Sequence, residues 1–430
     1  MAAVGAALSP SRHAALAVFA AAIASVVLIP AVPSYDPWSW LLWGREVAHG
    51  TLSTAGGPAF KPLPVAVCAL LAPLGDLAPT AWVVLARAAA IGAVVLAFVV
   101  ARRRTGAGGG LLAAVGVALC GSFVGLAATG AVEPMVVCFV LGGVLAWEDD
   151  RPRVALAFAV ACALLRVEAW PFLLAFGAVL WRRRPEDRAL LVACAIAVPA
   201  LWFVPEWLGS GDVLRSGSRA RVPNPGQPAL ADVPLLASLR DAAALPLLPL
   251  LVAALFSPAR RLALAGLAWI ALVAVMAQLG FSGEARYAVP GAALLAMAGA
   301  IGIARLGAAP VAAVALVAVV IMVVPRLGSV ADVRASQTYQ ARLAGDLRTA
   351  IRTSGGRDAL LRCGRPYTGQ YRGPLTAYAL DVEKRRVGFA PQAPGVVLQS
   401  RRFADAPRTP ALLPGGRTVR HGLWTVQTTC

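Results

Sequence analysis

The chain has 430 residues, 59% of them hydrophobic and only 14% charged, with a mean hydropathy of +0.72. Soluble domains carry roughly 25% charged and about 45–50% apolar residues, so these proportions exclude a cytosolic enzyme, a disordered chain and a small secreted disulfide scaffold, and leave lipid as the main solvent. The net charge of +18 sits largely in short clusters between apolar runs, which argues for membrane topology rather than nucleic acid.

Apolar runs of roughly 17–25 residues cross about 30 Å of hydrocarbon. The first is 14–32, after Arg12 and His13; it has no clear small-residue cleavage site and many spans follow, so it is read as retained. Further runs fall at 79–101, 108–127, 132–147, 153–166, 169–181, 188–204, 242–257, 262–280, 288–304 and 308–325. The expectation is an α-helical polytopic membrane protein of about 11 transmembrane helices, with the short pair 153–166 and 169–181 readable as one bent unit. With the N-terminus inside, the inner turns hold 13 basic and 5 acidic residues, Arg102, Arg103, Arg104, Arg182, Arg183 and Arg184 among them, while the outer ends and loops before 326 hold 9 and 10. That is the positive-inside pattern, and it places the C-terminus outside.

Two outer loops are long. Residues 33–78 begin with Trp38, Trp40 and Trp43 and continue through a Gly/Pro-rich stretch. Trp40, Trp43, Gly44 and Val47 share one helical face opposite Arg45 and His49, which predicts a helix lying in the membrane interface. Tryptophans at helix ends read as interface anchors. The second loop, 205–241, is rich in Gly, Pro, Ser and Arg.

Residues 1–325 therefore form a transmembrane domain, and 326–430 a small extracytoplasmic α/β domain. The latter holds 17 basic and 6 acidic residues. A polar helix is expected over 331–352 and strands over 358–362, 386–390, 396–399 and 423–428. Its basic surface suits lipid headgroups or an acidic polymer, or is simply solvated. Cys68, Cys120, Cys138, Cys162 and Cys194 lie in apolar runs and read as core residues. Cys363 and Cys430 are alone in the tail, and outside the membrane such a pair is expected to bridge, pinning the last residue to the first strand. No CxxC or Cys/His zinc spacing occurs.

Polar groups at membrane depth are costly and mark function by default. Here they gather at the outer ends of spans: Asp36 in SYDPWSW, Lys61 in AFKPLP, Glu133 in TGAVEPM, Arg166 and Glu168 in LLRVEAWPF, Glu284, Arg286 and Tyr287 in GFSGEARYAVP, and Asp212, Arg215, Arg219 and Arg221 in GSGDVLRSGSRAR. Each also has an ordinary reading. Asp36 can cap the helix that Pro37 opens. Arg166 and Glu168 can pair at a helix break. Glu133 can sit at the positive end of its helix. Lys61 can reach headgroups, and Glu284 and Arg286 can be loop charges. Arg215, Arg219 and Arg221 are expected to face solvent or lipid. Arg87, inside the second span, is expected to pair with a neighbour. GAGGG at 106–110 reads as a cytoplasmic turn and lacks the Lys-Ser/Thr of a P-loop.

An acidic residue directly after the first span, a long first outer loop with amphipathic helices, an outer Arg-Tyr before a proline and an extracytoplasmic C-terminal domain together resemble the GT-C glycosyltransferases, most closely the polyprenyl-phosphate mannosyl- and arabinosyltransferases of the cell envelope. The resemblance implies transfer of a sugar, hexose or pentose, from a polyprenyl-phosphate donor to a glycan, lipid or protein acceptor at the outer face of the cytoplasmic membrane. It places the catalytic base at Asp36. Lys61, Arg166 and Arg286 become the donor-phosphate cations, with Glu133, Glu168, Glu284 and Tyr287 in support. The family often shows an acidic pair in the first loop; here Pro37 and Trp38 follow Asp36, so a second acid must come from elsewhere, with Glu133 the candidate. No cofactor is implied with certainty, and a divalent cation is left open. Alternative readings are a secondary transporter or glycan flippase, a ligase or polymerase of lipid-linked glycans, and an envelope scaffold. No internal repeat of the transporter kind is present.

Overall fold

The computed structural model describes residues 9–306 and 309–430. Each predicted apolar run meets a helical segment. In chain order these are α1 (Ser9–Leu28), the loop helices α2 (Tyr35–Ala48) and α3 (Pro62–Leu71), α4 (Ala78–Ala118), α5 (Phe123–Ala128), α6 (Glu133–Glu148), α7 (Pro152–Leu165), α8 (Trp170–Arg183), α9 (Arg188–Ser210), the short α10 (Arg215–Ala220), α11 (Pro234–Ala243), α12 (Leu248–Leu255), α13 (Arg260–Gln278), α14 (Ala285–Ala304) and α15 (Ala309–Thr353). Among the described residues, five helical stretches are long and apolar enough to cross a membrane, and six if α11 and α12, bent by 106°, count as one. The remaining runs form shorter apolar segments. α4 contains two predicted runs, divided where Gly106 takes φ 79°.

α14 is the axis of the bundle. It is built almost wholly of Ala, Gly, Leu and Ile and is buried over nearly its full length. Small residues let helix backbones approach where lipid offers no hydrophobic drive. A Cβ on Gly291 would lie 2.6 Å from the Gly266 carbonyl oxygen of α13. α7 and α8 are separate helices, because Arg166 adopts extended backbone (φ −146°, ψ 130°) between them.

α2 is not an interfacial helix. Pro37 through Gly44 are all buried, with Trp40 packed edge-on to Trp82 at 5.5 Å, Trp38 on Tyr378 at 5.2 Å and Trp43 on Phe60 at 5.8 Å. Val47, placed on the apolar face, is instead exposed. α3 crosses so closely that a Cβ on Gly44 would lie 2.5 Å from the backbone of Cys68. Trp82, Trp202 and Trp269 are likewise core residues, whereas Trp181 and Trp207 are exposed. Among the described residues Arg87 pairs with no acid. Its guanidinium donates to the Ser25 hydroxyl and to the carbonyls of Ile29, Pro30 and Ala128, which ties α1 to α4.

α15 runs unbroken across residue 326 into the tail. After it come α16 (Gly356–Cys363), β1 (Arg365–Thr368), α17 (Gly373–Leu380), β2 (Gly395–Arg401), β3 (Arg408–Thr409), β4 (Arg417–His421) and β5 (Trp424–Thr428). The sheet order is β1-β2-β5-β4, with β1 parallel to β2, the other pairs antiparallel and β3 pairing β2. Strands were expected at 396–399 and 423–428, and strands are there. Residues 358–362 are helical instead, and 386–390 contribute only a bridge between Gly388 and Tyr367. The Cys363–Cys430 disulfide is present with Cα atoms 5.0 Å apart, joining the chain end to the end of α16 rather than to a strand. The tail covers α2: Arg45 reaches the Tyr378 carbonyl and the Asp381 carboxylate.

Candidate active site

The polar residues scattered over five predicted outer turns meet at one end of the bundle. Asp36 stands in the first turn of α2. Its Oδ2 accepts a hydrogen bond from Arg286 Nη1 at 3.1 Å, and Arg286 also pairs with Glu284 through Nε and donates from Nη2 to the Tyr287 hydroxyl at 3.3 Å. Arg286 and Tyr287 are placed by the first turn of α14, which Pro290 follows.

Arg166 comes from the α7–α8 break. Nε lies 3.0 Å from Glu168 Oε2, Nη1 lies 3.1 Å from Glu133 Oε1, and Nη2 pairs with Glu168. All three side chains are buried. The Arg166 guanidinium also lies 3.9 Å from the centre of the Tyr287 ring, which connects this triad to the Asp36–Arg286 pair.

Lys61 is different. It is 8% exposed, caps the N-terminus of α3 in extended backbone before Pro62, and has its ammonium 5.0 Å from the Trp40 ring. Among the described residues it has no carboxylate within ion-pair distance. Burial and the neighbouring Arg166 push its pKa down to about 8, against the pull of Asp36 and Glu133. For Asp36, burial acts upward but Arg286 and Lys61 outweigh it, holding the carboxyl below the usual aspartate value. Burial, with Asp36 beside it, pushes the Tyr35 hydroxyl up to about 12.

These groups line a cavity of about 460 Å³, within the range of small-molecule sites. Asp36, Lys61, Arg166, Glu168, Glu284 and Arg286 form its polar end. Trp170, Trp202, Phe203, Val273, Met276 and Phe281 form an apolar flank. Phe203 and its neighbours Leu201, Val204 and Trp207 are exposed on the outside of α9, so the flank continues onto apolar surface.

Glu133, the candidate for a second acid, is paired with Arg166, and the cavity lining does not include it. Among the described residues no group of three or more His, Cys, Asp or Glu side chains could hold a metal ion, and Asp36 and Glu133 are each engaged by a different arginine. The donor set does not fit a divalent cation. Arg215 does not face solvent. It pairs with Glu206 and reaches the Pro58 carbonyl, while Arg219 lines the cavity. Asp212 and Arg221 stay at the periphery, with Arg221 over the Phe281 ring. Sequence reasoning missed Tyr35, Glu206 and Ser216. Glu206 had a signal: it is an acid continuing an apolar helix between Pro205 and Trp207.

A helical bundle of this topology, with loop helices and a small α/β domain packed over a charged cavity at one end, has the fold of the GT-C membrane glycosyltransferases. The particular structures it matches are two of ArnT from Cupriavidus metallidurans, a protein of that class. With ArnT bound to undecaprenyl phosphate, the TM-score is 0.59 at 14% identity over 98% of each chain. With the apo state, it is 0.60 at 16% identity over 100% of this chain and 99% of the other. At such identities the likeness is one of fold. No protein-family model and no curated protein matches the sequence.

Proposed function

We propose that the protein is a glycosyltransferase that takes a sugar, hexose or pentose, from a polyprenyl-phosphate donor and places it on a hydroxyl of a glycan, lipid or protein acceptor at the outer face of the cytoplasmic membrane. The observation that carries this reading is Lys61: a buried cation with no acid partner among the described residues, in the same cavity as an ionised aspartate, beside an apolar flank that opens toward lipid. A lipid phosphate supplies the missing anion and an isoprenoid fits the flank. The ArnT structure with undecaprenyl phosphate supports the same class of ligand.

In this reading the acceptor hydroxyl gives its proton to Asp36 as its oxygen attacks the anomeric carbon. The bond from that carbon to the phosphate oxygen breaks, and the lipid phosphate leaves with the electron pair. One displacement inverts the anomeric centre. Fixed cations in a poorly hydrated site stabilise the departing charge. Lys61 meets it directly, with Arg286 and Arg166 adding to the field. Arg166 arrives already paired with two carboxylates, so its share is smaller than that of Lys61.

The outer placement rests on the arginine-rich turns lying at the opposite end of the bundle, where Arg103 and Arg104 pair with Asp149 and Glu148 and Arg305 bonds the Arg104 carbonyl. The test is transfer by the purified protein in nanodiscs, using a panel of polyprenyl-phosphate sugars, with impermeant labelling of single cysteines at 51–58 in intact cells. Turnover of one donor and labelling from outside are expected. Failure to bind any polyprenyl phosphate, or labelling only from inside, overturns the reading.

A further inference from the structure

At the end of α9, on the wall of the cavity, stands a buried carboxylate that the chemistry above does not use. Glu206, in the last turn of α9, is 1% exposed, and both of its oxygens are engaged. Arg215 Nε is 2.9 Å from Oε2 and Nη2 is 3.1 Å from Oε1. The Ser216 hydroxyl donates to Oε2 at 2.9 Å.

Each partner of Glu206 then grips the loop that leads to Lys61. Arg215 Nη2 donates to the Pro58 carbonyl at 2.7 Å. The Ser216 hydroxyl accepts from the Phe60 amide at 2.6 Å. A further strut lies just beside, where the Thr54 amide donates to the Gly209 carbonyl at 3.0 Å. The held stretch, Gly56-Gly57-Pro58-Ala59-Phe60-Lys61, has no regular secondary structure of its own, and two consecutive glycines give its backbone wide freedom. Further contacts come from α2, where Trp43 packs on Phe60 and the Trp40 ring lies beneath the Lys61 ammonium. The same loop from α9 reaches the other pole of the cavity, where Gln227 bonds Glu284 and Arg221 covers Phe281. It thus spans from the Lys61 loop to the Arg286 turn.

We infer that Glu206 is a positioning residue for donor binding: through Arg215 and Ser216 it clamps the Pro58–Phe60 backbone and so holds the Lys61 ammonium in the cavity. The inference rests on the reading of Lys61 as the phosphate cation. A carboxylate suits the role because hydrogen bonds to a charged group are shorter and stronger than neutral ones. Its two oxygens serve two donors that lead to two backbone groups within three residues of Lys61. The Ser216 hydroxyl carries one of these links alone, donating on one side and accepting on the other, and no carbon side chain can do both.

The test is titration of the full-length protein in nanodiscs with undecaprenyl phosphate, at pH 7 and pH 9, for the wild type, Ser216→Ala, Ser216→Thr, Glu206→Gln and Lys61→Met, with melting temperatures recorded alongside. Losing one charge-linked hydrogen bond in the clamp is expected to weaken lipid-phosphate binding by about tenfold in Ser216→Ala. Glu206→Gln is expected to weaken it at least as much, and Ser216→Thr, which keeps the hydroxyl, to restore it. Ser216 is half-buried, so Ser216→Ala should melt as the wild type does. The decisive readout is the pH response: affinity falls between pH 7 and 9 in the wild type through loss of the Lys61 charge, amid the fixed charges of Asp36, Glu133, Arg166 and Arg286, and this response flattens in Ser216→Ala as in Lys61→Met. If Lys61→Met loses binding while Ser216→Ala keeps wild-type affinity and pH response, the clamp is overturned and the phosphate site stands. If Lys61→Met binds as the wild type does, both fall.

Discussion

Arg286 Nη1 lies 3.1 Å from Asp36 Oδ2 although 250 residues separate them in the chain. The contact ties the first loop helix to the axial helix, and it also sets the charge of the proposed base. Burial alone would push the Asp36 carboxyl up, yet Arg286 and Lys61 hold it below its usual value. A carboxylate with a depressed pKa stays ionised until the pH falls through that lowered value, so the acid limb of turnover should lie below the ordinary aspartate range. Asp36→Asn should lower transfer by about 10²–10⁴-fold, the span of a positioned general base, while leaving the melting temperature near that of the wild type. Arg286→Ala removes the strongest counter-force to burial, so its residual activity should show the acid limb moved upward. A pH–rate profile checks both; unchanged turnover in Asp36→Asn removes that residue from the mechanism.

Lys61 gives the opposite limb. Its pKa near 8 reflects burial first and Arg166 second. A lysine with a lowered pKa loses its charge as the pH rises through that value, and an anionic ligand favours the charged form. Affinity for a polyprenyl phosphate should therefore drop about tenfold between pH 7 and pH 9, the change in charged fraction expected of a single group titrating near 8. Binding should also release fewer protons than it takes up near pH 8, which calorimetry in buffers of different ionisation enthalpy detects. In Lys61→Met the pH dependence over this range should vanish.

The buried triad Arg166, Glu133 and Glu168 makes a prediction about stability. Removing one member of a buried ion pair leaves an uncompensated charge, at about 3–5 kcal/mol. Glu168→Ala should sharply lower the melting temperature of the detergent-purified protein. It takes two hydrogen bonds from the guanidinium, where Glu133→Ala takes one, so it should be the more damaging of the two. Near-normal melting in both variants would mean that water reaches Arg166 and the triad is not closed.

What the sequence made legible follows from the cost of burying polarity. Asp36, Lys61, Arg166, Glu168 and Arg286 stood out because charged groups bordering apolar runs need a reason to be there, and the structure brings all five to one cavity. The helical runs and strands β2 and β5 followed from length and composition. What stayed hidden depended on distant parts of the chain. α2 reads as an interfacial helix from Trp40, Trp43 and Val47, and only the position of Tyr378 and Asp381, more than 330 residues away, shows that the tail covers it. Arg215 reads as a solvated loop charge until Glu206 is seen beneath it. At 358–362, two leucines between arginines carry too little periodicity to separate strand from helix.

The disulfide links the chemistry of the tail to its location. Cys363 and Cys430 close a loop of 67 residues that contains the whole sheet, and cross-linking a loop of that length removes denatured-state entropy equivalent to about 4 kcal/mol. The bond persists only where thiols are oxidised, which is the placement proposed for this domain. Non-reducing mass spectrometry of protein from native membranes should show the Cys363–Cys430 cross-link and free thiols at Cys68, Cys120 and Cys162, whose buried positions keep them apart. Cys430→Ser should loosen the sheet at its last strand and lower thermal stability. Because α17 of the same domain packs on α2, the loss should also reach the first loop helix, raising proteolysis near Tyr378 before turnover is affected. Two free thiols in the native protein would count against an external tail, and would leave β5 held by its strand pairing and by the Trp424 hydrogen bond to the Leu343 carbonyl.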